Sequence, residues 1–179
     1  VNLIDSAATT IDKFLEPEPI HLGTANGLYD ILRNKKLRYL SMVIYWRQAE
    51  DRDLKRLIRS VLQDSLDHIK RIEALIKKYK LYNWPNMDYL EKALHDESPF
   101  SISRSLLDDK EISSIMREVH RLSLTIEAEA LRNATEPDAR KVIYDILNYD
   151  NKALNTLIRM KESKGWTDDD LPPYLSPPQ

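Results

Sequence analysis

DLKRLIRSVLQDSLDHIKRIEALIKKYK, residues 53–80, decides the fold. Within it Leu54, Ile58, Val61, Ser65, His68, Ile72, Leu75 and Tyr79 recur at alternating intervals of four and three. That spacing keeps one stripe facing a neighbouring helix over the whole length, as helices packed at about 20° in a bundle require. Leu57, Leu62, Ile69 and Ile76 widen the stripe, and Lys and Arg with Asp and Glu fill the opposite face. The stretch is a long amphipathic helix whose partners must come from the rest of the chain.

On the N-terminal side, His21 to Ala49 holds no proline and returns apolar residues at Leu22, Ala25, Tyr29, Leu32, Tyr39, Val43 and Trp46. This predicts a helix over about 21–49. Pro17 and Pro19 precede it in a 1–20 extension. The charged corner Glu50-Asp51-Arg52-Asp53 joins it to the 53–80 helix. There Asp51 or Asp53 can accept hydrogen bonds from first-turn amides.

On the C-terminal side, 81–107 carries Asn83, Trp84, Pro85, Asn86, Ser98 and Pro99, with one short helical patch at Met87–His95. A third helix, about 108–133, follows on Ile112, Met116, Val119, Ile126 and Ala130, with Ile115 and Leu122 beside them. Asn133-Ala134-Thr135-Glu136-Pro137 is a tight break in which Thr135 can cap and Pro137 suits a first helical turn. The fourth helix, about 137–164, places Ala139, Ile143, Ile146, Asp150, Ala153, Leu157 and Met160 on one face, and Gly165 ends it. A proline-rich tail occupies 166–179.

Loop length sets the topology. Two corners of a few residues make antiparallel hairpins of helices one-two and three-four. Each helix is ~40 Å long at 1.5 Å per residue. The 27 residues of 81–107 can run that length and return the chain to the same end. The expected fold is all-α: a ferritin-like four-helix bundle over 21–165, two antiparallel hairpins joined by a long crossover. Helices two and three should then be parallel.

Composition excludes several classes of partner and chemistry. The chain of 179 residues has 27 Lys+Arg against 29 Asp+Glu, so no net field draws it to nucleic acid or an anionic membrane. It has no Cys, hence no disulfide and no thiolate metal site. No apolar run approaches a membrane span, and Val1–Leu15 lacks the basic start of a secretion signal. We expect neither nucleic acid nor membrane as a partner, and a cytoplasmic location.

A bundle of this kind invites a metal test. Dinuclear carboxylate centres need a Glu from each of two helices and Glu-x-x-His from the other two. No Glu-x-x-His occurs in the chain. The inward pair at that spacing is Ser65/His68 on the second helix and Asp150/Ala153 on the fourth. The first helix offers Lys36 and the third Ser123, with Glu127 and Glu129 toward its flanks. The expectation is a buried polar layer of Lys36, Ser65, His68, Ser123 and Asp150, with Asp150 paired to His68 or Lys36. No catalytic residue, cofactor or metal is expected, and any metal would fall to His68 and Asp150. His120 and Glu118 sit two apart on the third helix and do not face together, and His21 and His95 are expected on the surface.

Three segments read in order carry a resemblance: Gln48-Ala49-Glu50-Asp51-Arg52-Asp53-Leu54-Lys55, then Asp67-His68-Ile69 with Ile72-Glu73, then Lys164-Gly165-Trp166 followed by Pro172-Pro173. Over roughly Gly23–Pro173 the chain resembles the spore coat protein F-like family of endospore-forming bacteria and related ferritin-like bundle proteins of uncharacterised function. The resemblance implies a role in or around the spore coat, assembled from the mother-cell cytoplasm, and supplies no catalytic residues. The expected function is a non-catalytic structural or interaction protein, partnered by copies of itself or other coat-type proteins. The alternative is a ferritin-like metal-binding protein or oxidoreductase with a degenerate site around His68 and Asp150. A small-molecule binding module using a cleft between helices is a third.

Overall fold

A computed structural model of the chain describes residues 20–81 and 106–167. They form four helices: α1 (Leu22–Gln48), α2 (Arg52–Lys78), α3 (Asp109–Asn133) and α4 (Pro137–Lys164). The 1–19 stretch, the 82–105 part of the crossover and the 168–179 part of the tail lie outside the described residues, as do the Met87–His95 patch and His95.

Each helix start follows from its local sequence. Asp51 caps α2, its carboxylate accepting from Asp53 N and Leu54 N at 2.9 Å each. Asp108 and Glu111 form a reciprocal capping box on α3. The α1 cap is His21, whose exposed ring accepts from Gly23 N through Nδ1 at 3.1 Å. Thr135 does not cap α4; that position is Glu136, which makes no side-chain cap bond. Glu136 instead accepts from His21 N at 2.8 Å and from the Thr24 hydroxyl. Gly165 closes α4 at φ 66°, the left-handed conformation a glycine adopts without strain.

Cross-helix pairs give the directions. Lys36 meets Glu73 and Tyr29 OH donates to Leu81 O, so α1 and α2 are antiparallel. Arg71 meets Asp145 and Lys164 meets Asp51, so α2 and α4 are antiparallel too. Ser123 donates to Asn34 while Thr135 N donates to Thr24, which sets α1 against α3. Hence α2 and α3 run the same way across the diagonal, as the long middle connection requires. Each corner is also tied to the start of another hairpin. The Asp109 carboxylate accepts from Glu50 N and Asp51 N at 2.9 Å each, as Glu136 does for the start of α1.

The core divides into two apolar clusters. One gathers Leu28, Ile31, Leu32, Ile72, Leu75, Ala130, Ile143 and Ile146; the other Met42, Leu54, Ile58, Val61, Ile112, Met116 and Leu157. On α2 the buried set, Leu54 through Leu75, is the expected seam. On α1 it is not. The buried residues there are Thr24, Ala25, Gly27, Leu28, Ile31, Leu32, Lys35, Arg38 and Met42, while Leu22 and Trp46 are exposed. On α4 the seam turns at its C-terminal end, burying Leu154 and Lys161 in place of Ala153 and Met160. Lys161 donates to Ser114, which gives its ammonium a polar partner.

Close approach of α1 and α3 depends on Gly27. A Cβ there would lie 2.9 Å from Ala130 Cβ and 3.1 Å from Ala130 Cα. We therefore expect Gly27→Val to destabilise the fold by ~1–3 kcal/mol through forced separation of the two helices. Ile143→Ala, which empties a fully buried site, should cost ~2–5 kcal/mol. Chemical denaturation reads both, and a change under about half a kcal/mol at either site would contradict this packing.

Candidate functional site

Between the two apolar clusters lies a layer of charge. α1 brings Lys35 and Arg38 to its inner face, α3 brings Glu127 and α4 brings Asp150, all buried. The Arg38 guanidinium grips Asp150 at both oxygens, Nη1 to Oδ2 at 2.6 Å and Nη2 to Oδ1 at 2.9 Å. Its Nη2 also reaches Ser65 Oγ at 3.4 Å. Lys35 Nζ contacts Asp150 Oδ2 and lies 2.6 Å from Glu127 Oε1. Fork geometry and charge assistance make the Arg38–Asp150 pair the strongest contact in the layer.

Two imidazoles flank the ions. His68 of α2 is buried, packs edge-on to the Tyr149 ring at 5.6 Å, and leaves Nδ1 without a hydrogen-bond partner. His120 of α3 donates from Nδ1 to Met116 O at 2.8 Å, which leaves Nε2 as an acceptor with no partner. Ser123 donates to Asn34 Oδ1 at 2.8 Å.

Electrostatics follow from this geometry. Burial, with the charge of Lys35 second, holds the His68 ring down to about 4; burial and Arg38 do the same for His120. Burial works against ionised Asp150, yet Arg38 and Lys35 together hold its carboxyl well below the usual range. Burial pushes the Glu127 carboxyl up to about 8 and the Lys35 ammonium down. Both shifts have one cause: each group has lost its water in a dry place.

Of the expected polar layer, the structure gathers Ser65, His68, Ser123 and Asp150 in the interior. Lys36 is not among them. It is partly exposed and pairs with Glu73 at 3.1 Å; the buried lysine is Lys35, one residue earlier. Asp150 accordingly pairs with Lys35 and Arg38, not with His68 or Lys36. Glu127 is interior, not on a flank, and His120 is buried as well. Spacing could have found the two α1 cations: Leu28, Ile31, Lys35, Arg38 and Met42 step by three and four, the same alternation as α2.

An open groove lies elsewhere. It has a volume of about 690 Å³, runs between α2 and α4 over Leu57 and Met160, and is rimmed by Arg56, Arg159 and Lys164. None of the buried ionic residues lines it.

The chain can now be set beside known proteins. A candidate spore coat protein from Bacillus halodurans superposes with a TM-score of 0.65 at 18% identity, over 90% of this chain and 95% of that one. The fold is ferritin-like. A two-domain protein from Anabaena variabilis, with DJ-1/ThiJ/PfpI-like and ferritin-like domains, superposes with a TM-score of 0.63 at 14% identity. That match takes in 87% of this chain and 40% of the longer one. No family model and no curated protein matches the sequence.

Ferritin-like bundles of the dinuclear class hold metal at the centre, so the fit can be tested residue by residue. The inner faces here offer Lys35 and Arg38 on α1, Ser65 and His68 on α2, His120, Ser123 and Glu127 on α3, and Asp150 on α4, where Ala153 is only partly buried. Both Asp150 oxygens are taken by Arg38, and Glu127 faces an ammonium. Among the described residues no three His, Asp or Glu side chains are gathered closely enough to hold an ion. The residues do not fit a dinuclear metal centre. The same contacts engage Asp150 with Arg38 and Lys35 and not with His68.

The neutral histidines carry a pH signature. Their folded pKa lies below the ordinary 6.5, so the stability they confer is present above 6.5. It is lost as pH falls toward 4, because the unfolded chain takes up protons that the fold refuses. His120→Gln should therefore flatten the stability profile in this window, by up to ~1.4 kcal/mol per pH unit relative to wild type. Denaturation midpoints between pH 6.5 and 4 test this; parallel profiles for the two proteins would refute it.

Proposed function

We propose that this chain is a non-catalytic structural or interaction protein, a packing unit of a spore coat or a related protein assembly. The observation that carries the reading is the closed centre of the bundle. At the level where ferritin-like folds can place chemistry, the acids are engaged by the protein's own cations, and the buried imidazoles lie below the range useful for proton transfer near neutrality. Ion pairs that join α1 to α3 and α4 fix helix register, which is what a building block needs from its interior.

The likeness to the candidate spore coat protein supports the assembly, since it runs along nearly the whole of both chains. Exposed large apolar side chains occur on every helix, Leu37 and Trp46 on α1, Leu66 on α2, Leu122 on α3, Tyr144 and Tyr149 on α4. They offer contact points to several neighbours at once. No helix among the described residues is long and apolar enough to cross a membrane. In this reading the 21–165 bundle is the unit, with the 1–20 extension and the 166–179 tail as its arms. It is made in the mother-cell cytoplasm and joins copies of itself or other coat proteins.

A fluorescent fusion of the full chain in a sporulating host should form a shell around the forespore and persist in coat extracts of washed spores. Light scattering of the purified protein at high micromolar concentration should give the mass of two chains or more. Diffuse fluorescence with no coat-associated protein would contradict the coat role, and a clean monomer would contradict self-association.

A further inference from the structure

Two acids from different helices, Glu127 of α3 and Asp150 of α4, converge on one point in the dry middle of the bundle. In a carboxylate metal centre that point belongs to the ion. Here it is Lys35 Nζ. We infer that Lys35 stands in for the metal, its ammonium occupying the point on which the two acids converge and keeping divalent ions out of the bundle.

Charge counting supports the inference. Lys35 and Arg38 contribute two positive charges, Glu127 and Asp150 two negative. The formal sum is zero, and it stays zero if a proton passes from Lys35 to Glu127. A divalent ion added to this layer would bring uncompensated charge into a buried site and would have to displace an ammonium in ion-pair contact with both acids. With an acid at position 35 the sum becomes minus two: three carboxylates against Arg38. One divalent cation balances that, and oxygen ligands then arrive from α1, α3 and α4.

His68 supplies the nitrogen. It lies on α2 three residues after Ser65, which reaches Arg38; it is 1% exposed, and its Nδ1 has no hydrogen-bond partner in the bundle. One ligand would thus come from each helix. Arg38 remains on Asp150, so we expect one ion and not two. The inference rests on the structural reading only for the closed wild-type centre, and spore localisation bears on neither arm of the test below.

The experiment compares the full-length wild type, Lys35→Glu and Lys35→Glu/His68→Ala by Co²⁺ titration, following the visible d–d band with helicity measured in parallel. Lys35→Glu should bind one Co²⁺ per chain at least ~100-fold more tightly than wild type, and His68→Ala should take back ~10-fold or more of that gain. A Lys35→Glu chain that is unfolded alone and regains helicity with Co²⁺ supports the inference equally. If it stays unfolded, Lys35→Gln decides: folded, it should bind Co²⁺ ~10-fold more tightly than wild type. The inference is overturned if a folded position-35 variant binds no more tightly than wild type. It is also overturned if wild type already holds Co²⁺ in a His68-dependent site, or if neither variant folds with the metal present.

Discussion

Asp150 is the residue on which the centre of this bundle depends. It sits on α4, 2% exposed, and would not remain ionised there without help from another helix. α1 provides that help twice, through the two-pronged grip of Arg38 and the ammonium of Lys35. Because Lys35 also meets Glu127, one residue on α1 bonds to two helices that belong to the other hairpin. Apolar side chains can slide by a turn at modest cost; a pair of forked hydrogen bonds cannot. The layer therefore fixes the register between the hairpins, while the apolar clusters above and below supply most of the burial.

Layers of this kind are costly, and they rarely add net stability over well-packed apolar residues of the same volume. Their effect is on specificity. Breaking one member leaves an uncompensated charge in a dry site, so sliding α1 against α3 and α4 would strand charge. The corners work to the same end: Asp109 ties the first to the start of α3, and Glu136 ties the second to the start of α1. Each hairpin is thereby anchored to its neighbour at an end and again in the middle. The structural role proposed above needs that rigidity, and it does not need an open coordination site.

The bundle was legible in the sequence chiefly through α2, whose charged outer face and apolar inner face are cleanly separated. Loop lengths then gave the parallel placement of α2 and α3. α1 was harder to read for a physical reason. Leu37 and Trp46 lie partly in solvent, Leu40, Val43 and Ile44 lie at intermediate depth, and the inner stripe itself carries Lys35 and Arg38. A reading that sends charge outward and apolar residues inward therefore settles on the wrong side of this helix and chooses Lys36. Glu127 was missed on the same ground, since a buried carboxylate makes sense only once its cation is known to be buried too. Asp150, Ser65 and His68 were found because apolar neighbours at regular spacing on both sides left no doubt about the face.

The central claim is that Arg38 and Asp150 act as a unit that fixes the hairpins together. A double-mutant cycle measures this directly: denaturation free energies of wild type, Arg38→Met, Asp150→Leu and the double variant. Each single change should be strongly destabilising, because it strands a buried charge. The double variant should be more stable than the sum of the two losses implies, with a coupling of ~2–3 kcal/mol. Losses that add to within about 0.5 kcal/mol would contradict the account, because the two residues would then be independent and the layer would not hold the register.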